Sequence, residues 1–314
     1  ETRLARVFKS ARFMKWVEGT WTSEAWAELV KHSPWDFPYD REGYADALGQ
    51  NWAAMMDTGF ALPLAYRKKW GMWTGYLPFG MQQWGPIGPK SASTASLCAA
   101  VEAIPGRLTK VDIAMHRPED WQPLSSQWKR KGLRLERWTE QPNYVLDIGA
   151  SYEQVYAGYS KQTIRNLKAS QQSGMTVFEH DTPDVLLHAF KANQAERYAV
   201  PAGFEPAIRA AMYHLLHQGR GALWSVYGEG NRFLAGAFIA FAGNRAVLLF
   251  SAISDEGRQR QAMTYLLNEV LTYACGRWTC FDFEGSKSPG LARFYAGFGA
   301  KLEPFLRYQR WAIR

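Results

Sequence analysis

Hydrophobic and polar positions change period several times along the last part of the chain, and each change predicts an element. Thr279 to Phe283 alternates, with aromatic rings in the run, and a period of two suits a strand. Glu284-Gly285-Ser286 reads as a turn, and Ser288-Pro289 as the cap and first-turn proline of a short helix carrying Leu291, Phe294 and Tyr295. Gly297 and Gly299 stop that helix, after which Lys301 to Tyr308 can return as a strand. In this unit the side chains of Asp282, Glu284 and Ser286 gather where the strand ends and the helix begins, the usual place for polar chemistry in an open α/β sheet.

Upstream, two helical patterns fall between Thr20 and Gln50, the first capped by Thr22 or Ser23, with the Ser33-Pro34-Trp35-Asp36-Phe37-Pro38 loop between them. From Asn51 the period becomes two, and Trp52–Met56, Ala61–Lys68 and Met72–Tyr76 read as an antiparallel meander. Glycine and proline crowd Pro78–Pro89, a loop predicted to expose Trp84 beside Gln82 and Gln83 and so to suit a cleft lining. A helix over Ala92–Ala103 and strands over Leu108–Met115 and Tyr144–Ile148 complete the first half. The second half repeats the order: helices over Ser151–Gln172, Pro183–Glu196 and Glu205–Gln218, strands over Ala222–Tyr227, Phe233–Phe241 and Arg245–Ser254, then a helix over Gln261–Cys275. One element order used twice predicts a duplicated α/β (α+β) fold, with the boundary near Gly149-Ala150 and domains over 1–149 and 150–314.

At 314 residues and 47% hydrophobic, the chain can bury the cores of two ordinary domains. Fourteen Trp, 15 Tyr and 17 Phe exceed ordinary packing needs, so some are expected to line a groove. The net charge of +8 and pI near 9.3 imply an anionic partner: nucleic acid such as tRNA, a phosphorylated carrier or substrate, or an acidic membrane surface touched peripherally. Cys98, Cys275 and Cys280 lack any C-x-x-C spacing, which argues against a disulfide framework or structural zinc and predicts a reducing, cytoplasmic setting. No run of eighteen apolar residues predicts a transmembrane segment. The N-terminal stretch is basic without the apolar core of a signal peptide, and because residue 1 is Glu rather than Met the chain is expected to lack a few residues.

Three groups of side chains carry candidate chemistry. Asp282 and Glu284, two apart on a strand, face one side, and their proximity could raise one pKa toward a general-base value; a carboxylate capping the next helix is the alternative. Lys161, Arg165 and Lys168 form a basic stripe at helical offsets, read either as an anion-binding face or as a solvated one. His214 and His217 stand at helical spacing without further ligand types near them, so no metal site is predicted. Neither G-x-S-x-G nor a phosphate loop ending in Gly-Lys-Ser/Thr occurs.

The C-terminal half resembles the GNAT fold as used in the Fem family, whose members carry amino acids to the interpeptide bridge of peptidoglycan. The resemblance rests on Tyr273-Ala274-Cys275-Gly276, Asp282-Phe283-Glu284-Gly285, Gly290-Leu291, the Phe294–Gly299 segment, and Tyr159-Ser160 followed by Arg165. It implies two tandem GNAT-like domains, each a mixed, largely antiparallel sheet flanked by helices. It also implies an N-acyltransferase that moves an acyl or aminoacyl group to an amine in a cleft between domains. No tightly bound cofactor is implied; acyl-CoA or aminoacyl-tRNA would be the donor substrate, and the acceptor an amine, phosphorylated or part of a cell-wall precursor. Under this resemblance Arg258 and Arg260, with Gly257, belong to the turn that holds a donor pyrophosphate, although Gln261 and Met263 stand where glycines would follow. Phe294-Tyr295 matches a pair whose tyrosine protonates a leaving thiolate. The lysine common at the second position in Fem transferases is missing, and Lys287, Arg293 and Lys301 are nearby substitutes. Arg165 would bind a substrate phosphate or carboxylate. The alternative is a noncatalytic binding module for a phosphorylated glycan or nucleic acid, using the aromatic groove and basic stripe.

Overall fold

Strand and helix periods alternate along the chain, and in the computed structural model, which describes residues 14–19, 23–122, 126–193, 200–285 and 288–312, they assemble into two units. The first begins with β1 (Lys15–Glu18), α1 (Ser23–Lys31), α2 (Tyr44–Ala47), β2 (Trp52–Asp57), β3 (Phe60–Lys69) and β4 (Met72–Tyr76). It continues through α3 (Thr94–Ala103), β5 (Leu108–Met115), β6 (Lys129–Lys131) and β7 (Arg134–Gln141). The second opens with β8 (Tyr144–Asp147), α4 (Tyr152–Ala157), α5 (Lys161–Gln171), β9 (Thr176–Glu179), α6 (Pro183–Asn193) and α7 (Phe204–His217). Its remaining elements are β10 (Gly221–Gly228), β11 (Arg232–Ala242), β12 (Arg245–Ile253), α8 (Asp255–Gln259), α9 (Ala262–Ala274), β13 (Cys280–Asp282), α10 (Pro289–Ala296) and β14 (Lys301–Leu302). The final strand, β15 (Phe305–Ala312), belongs to the first unit.

Each unit holds a mixed, largely antiparallel sheet. The first runs β1-β2-β3-β4-β5-β15-β7-β6 and the second β14-β8-β13-β12-β11-β10-β9, with β4–β5 and β12–β13 as their parallel pairs. In space the units comprise Glu1–Gln141 with Pro304–Arg314, and Pro142–Glu303. This departs from a single cut near Gly149 because β8 pairs with β13 in the second sheet, while β15 inserts between β5 and β7 in the first. The predicted strand over Lys301–Tyr308 is accordingly split: Lys301 and Leu302 pair with β8, and the rest joins the other sheet. The predicted helix over 151–172 is likewise two helices, broken at Gly158-Tyr159-Ser160 where Ser160 caps α5 by accepting from the Thr163 amide.

Periodicity explains the second core. In α9, Ala262, Leu266, Leu267, Val270, Leu271 and Ala274 recur at helical spacing and are all buried. They cover β11, whose residues Leu234–Ala240 are buried on both faces as a central strand requires. In the first unit the Gly/Pro-rich loop after β4 is buried rather than exposed. The His116 ring nitrogen Nε2 lies 2.7 Å from Asp40 Oδ2, both side chains are almost fully buried, and Asp40 Oδ1 accepts from the Gly85 amide at 3.0 Å. His116 donates its own amide to the Gly85 carbonyl, and Trp84 its amide to the Ala114 carbonyl. Trp84 is therefore 2% exposed and tilted against Trp52 at 5.5 Å, a correction to its predicted exposure: backbone bonds to the β3 and β5 edges pull the loop into the core. Buried Arg310 donates to the carbonyls of Ile104, Pro105 and Leu108, satisfying the chain beyond α3. Among the described residues no helix is long and apolar enough to cross a membrane.

Candidate functional site

The second sheet opens where its two parallel strands part. β12 and β13 pair at Arg245–Cys280, Ala246–Phe281 and Val247–Asp282, after which β13 ends while β12 runs on to Ile253. The carboxyl ends of both strands lie at this opening, the position at which open α/β sheets receive ligands. One step beyond the last shared pair the β11–β12 register slips. Phe238 faces Phe250 and Ile239 faces Leu248, so Leu249 is an extra residue on β12 without a β11 counterpart. Such a bulge re-aims the backbone beside it.

A helical turn follows β12 directly. Ser254 caps α8, its hydroxyl accepting from the Gly257 amide at 3.0 Å and donating to the Leu234 carbonyl at 3.2 Å. A Cβ on Gly257 would stand 2.0 Å from that same carbonyl oxygen, so only glycine lets the turn press onto β11. At the start of α9, Gln261 adopts φ +57, the left-handed conformation a glycine would supply. Arg258 pairs with exposed Asp255. Arg260 is committed elsewhere: it donates to Glu256 at 2.9 Å and to the Ser173 carbonyl just past α5, so it clamps two segments.

At the other lip, Asp282 closes β13 and is fully buried. Its Oδ2 accepts from Arg245 Nη1 at 2.7 Å, and its Oδ1 from Asn143 Nδ2 at 2.9 Å and the Glu284 amide at 3.0 Å. Burial pushes the carboxyl above the usual range, against the opposing pull of the Arg245 guanidinium and the two hydrogen bonds to Oδ1. Desolvation is the leading cause, and the carboxylate that adds to it is that of Glu303. Asp282 is thus an anchor that ties β8, β12 and the turn after β13 together, not an open base. Glu284 is 8% exposed with φ +45, so it leaves the strand geometry that would have aligned it with Asp282. Ser286 and Lys287 lie outside the described residues.

Tyr295 is 6% exposed and stacks on Phe283 at 4.7 Å between ring centroids and 19° between planes. Half-buried Phe294 touches Tyr295 and Phe298, so the pair packs onto the second core. Lys161 and Arg165 are exposed on α5, Arg165 donating to Gln162 at 2.8 Å. The Ser160 amide donates to the Gly297 carbonyl, which seats the start of α5 against the end of the helix bearing Tyr295. Arg260 meets the far end of α5, about 16 Å away for eleven residues of helix, so Lys161 and the α8–α9 turn are not brought together. Trp84, buried in the first unit, lines a cavity of about 50 Å³ there with Trp26, Trp52 and Asp46.

Sequence reasoning missed Arg245, Asn143 and the Leu249 bulge. Arg245 carried a usable signal, a cation opening a buried strand after the Gly243-Asn244 turn. Cysteine chemistry is disfavoured: burial pushes the thiols of Cys98 and Cys275 up to about 11 and that of Cys280 up to about 12. Among the described residues no cluster of three His, Cys, Asp or Glu could hold a metal ion.

Residues 159–292 match a family model described as an acetyltransferase (GNAT) domain. The fold of the whole chain is similar to that of FemX, with a TM-score of 0.62 at 13% identity over 92% of this chain and 96% of that one. It is also similar to the C-terminal domain of a putative lysylphosphatidylglycerol synthetase from Agrobacterium fabrum, with a TM-score of 0.55 at 12% identity over 91% of each. A tandem GNAT protein from the clavulanic acid biosynthesis pathway gives a TM-score of 0.51 at 11% identity over 95% of this chain and 98% of that one. No curated protein sequence matches the chain.

Proposed function

We propose that this chain, which has the Fem-like double-GNAT fold, is an N-acyltransferase working where β12 and β13 part. It moves an acyl or aminoacyl group from acyl-CoA or aminoacyl-tRNA to an amine. The observation that carries the reading is the coincidence of three features at one sheet end: the parted parallel strands, the Leu249 bulge and the capped turn after β12.

In this reading the donor carbonyl enters between the strands, and a backbone amide at the Leu249 bulge donates to its oxygen. A single well-placed donor of this kind is worth roughly 10²–10³ in rate. The amine nitrogen attacks the carbonyl carbon and loses a proton to Glu284, the carboxylate beside the opening. The tetrahedral oxyanion then collapses, the bond to the thiolate or ribose oxygen breaks, and Tyr295 supplies the proton the leaving group needs. Arg258 and the first amides of α9 suit a donor phosphate, because Asp255 opposite Arg258 is solvent-exposed and exchangeable. Lys161 and Arg165 hold an anionic group on the acceptor side, at the end of α5 remote from that turn. Asp282 positions Glu284 by holding its amide.

The test offers charged tRNA and acyl-CoA separately, with a panel of amines, and follows which donor loses its acyl group. Loss from one donor only, dependent on amine, supports the reading and identifies the carrier. Loss from neither overturns it and leaves a binding module.

A further inference from the structure

We propose that one end of the first sheet is a docking surface for anionic lipid bilayers. The strand directions define this end: β4 runs parallel to β5, and β15 runs antiparallel to both β5 and β7, so β4, β5 and β7 all start there. The β3–β4 and β6–β7 hairpin turns therefore project from the same edge, separated by about four strand spacings or roughly 19 Å.

Each turn carries an apolar side chain into solvent. Trp70 is 85% exposed and Leu133 is 73% exposed, the highest values among the exposed large hydrophobics of the described residues. Trp311, 45% exposed on β15, lies between them and is in ring contact at 5.4 Å with Trp128, which precedes β6 and is 37% exposed. Trp70 also holds φ +51, where a bulky residue is disfavoured and Asn or Gly would serve the turn better. The ring lies against the Lys69 ammonium, 4.5 Å from its centroid, and otherwise stands in solvent, so burial does not explain why an indole occupies a strained turn.

Charge separates this edge from an ordinary solvated one. Lys68, Lys69, Lys110, Lys129 and Arg130 are exposed around the four apolar side chains, while Lys131 beside them pairs with Glu102, and segments 67–73, 107–111 and 128–135 contain no Asp or Glu. Protruding Trp and Leu ringed by lysines matches the interface of a bilayer with anionic headgroups, where indole sits at headgroup depth and cations gain from the surface potential. RNA fits less well. Arg137 covers a face of Trp128 at 4.7 Å and Lys110 a face of Trp311 at 5.2 Å, and Leu133 has no face on which a base can stack.

The surface shares no residue with the proposed transfer site, so its test is independent of turnover. Sedimentation compares vesicles of phosphatidylcholine alone with vesicles in which about one-third is phosphatidylglycerol. The full chain is expected to bind the second and not the first, and to be released by high salt. Trp70→Ala with Leu133→Ser should weaken binding roughly 100-fold, about tenfold for each anchor, and Lys69→Gln with Lys129→Gln should cut it about fivefold per charge. Phe178→Ser, an exposed aromatic on the second sheet's edge strand, should change nothing, and unaltered circular dichroism melts would show that the variants fold. Equal binding to neutral vesicles, wild-type binding by the Trp70/Leu133 variant, or capture of uncharged tRNA by these residues with no vesicle binding would each overturn the proposal.

Discussion

Replacing Arg245 with methionine tests the anchor on which the opening depends. The substitution removes the guanidinium 2.7 Å from Asp282 Oδ2 and leaves a fully buried carboxyl with only the Asn143 and Glu284 donors, both on the other oxygen. The second bond of Arg245, to Glu303 at 3.2 Å, is solvent-screened at the Glu303 end and adds little. Breaking a buried pair from one side costs about 3–5 kcal/mol. An independent bound comes from neutralisation. If Asp282 escapes by binding a proton, the loss at pH 7 is at most (7 − 3.8) times ~1.36, or about 4.4 kcal/mol, because burial already holds the wild-type carboxyl above its ordinary 3.8. At about 2–4 °C per kcal/mol the melting midpoint should fall by roughly 6–20 °C.

The same variant has a signed pH dependence. The folded pKa of Asp282 lies above its unfolded value, so its contribution is fully present below the unfolded pKa and is lost as pH rises through the folded one. Removing Arg245 raises the folded value further and widens that window upward. The deficit relative to wild type should thus be largest near pH 7 and shrink as the pH approaches 4. Adding Asp282→Asn to the methionine background removes the charge and should recover much of the loss while abolishing the pH dependence. Thermal unfolding by far-ultraviolet circular dichroism at several pH values reads all of this. A loss under about 1 kcal/mol at pH 7, or one that does not vary with pH, refutes the reasoning.

Four further substitutions or treatments probe the neighbouring geometry. Gly257→Ala forces a Cβ against the Leu234 carbonyl, a backbone atom that cannot swing away, and should cost about 3 kcal/mol or more in thermal unfolding. Gln261→Gly relieves a left-handed conformation and should stabilise by up to about 1 kcal/mol, whereas a lower melting point would mean that the glutamine side chain matters more than its backbone. Tyr295→Phe keeps the stack on Phe283, so stability should hold within about 1 kcal/mol while turnover falls roughly 10²-fold if the hydroxyl delivers a proton; unchanged turnover removes it from the mechanism. Iodoacetamide at pH 7.5 should label native Cys98, Cys275 and Cys280 slowly and denatured chain quickly, because thiols with pKa values near 11 to 12 remain protonated; rapid native labelling would contradict the burial that raises them.

Much of the architecture was legible because burial imprints a period. The α9 stripe and the uninterrupted apolar run of β11 are buried, and the predicted bounds of these elements and of β2 to β4 fall within two residues of those observed. β6 and β7 left no such mark. Lys-Arg-Lys is exposed throughout, and β7 has one buried side chain, Trp138, among partly exposed neighbours. Alternation also cannot say which sheet a strand joins. Lys301–Tyr308 reads as one strand from its own residues, yet only its second half joins β15, whose partners lie about 170 and 195 positions earlier. Trp84 failed for a related reason: loop composition predicts exposure, whereas a buried Asp40–His116 pair and backbone bonds to neighbouring strands hold this loop inside.

The candidate site shows why motif and geometry need not travel together. Glycines in a phosphate-holding turn serve two separate demands, close approach and left-handed backbone. At Gly257 the demand is close approach: Leu234 oxygen occupies the space a Cβ would need, and glycine is present. At Gln261 the demand is conformational, and a longer residue can meet it at a cost of about 1–2 kcal/mol. A pattern search treats both positions alike and finds the second one missing. The fold treats them differently, since a clash with backbone has no remedy whereas strain at one φ can be offset by the packing of α9 behind it. The opening between β12 and β13 therefore keeps its flanking turn although the sequence has lost half of the signature by which such turns are read.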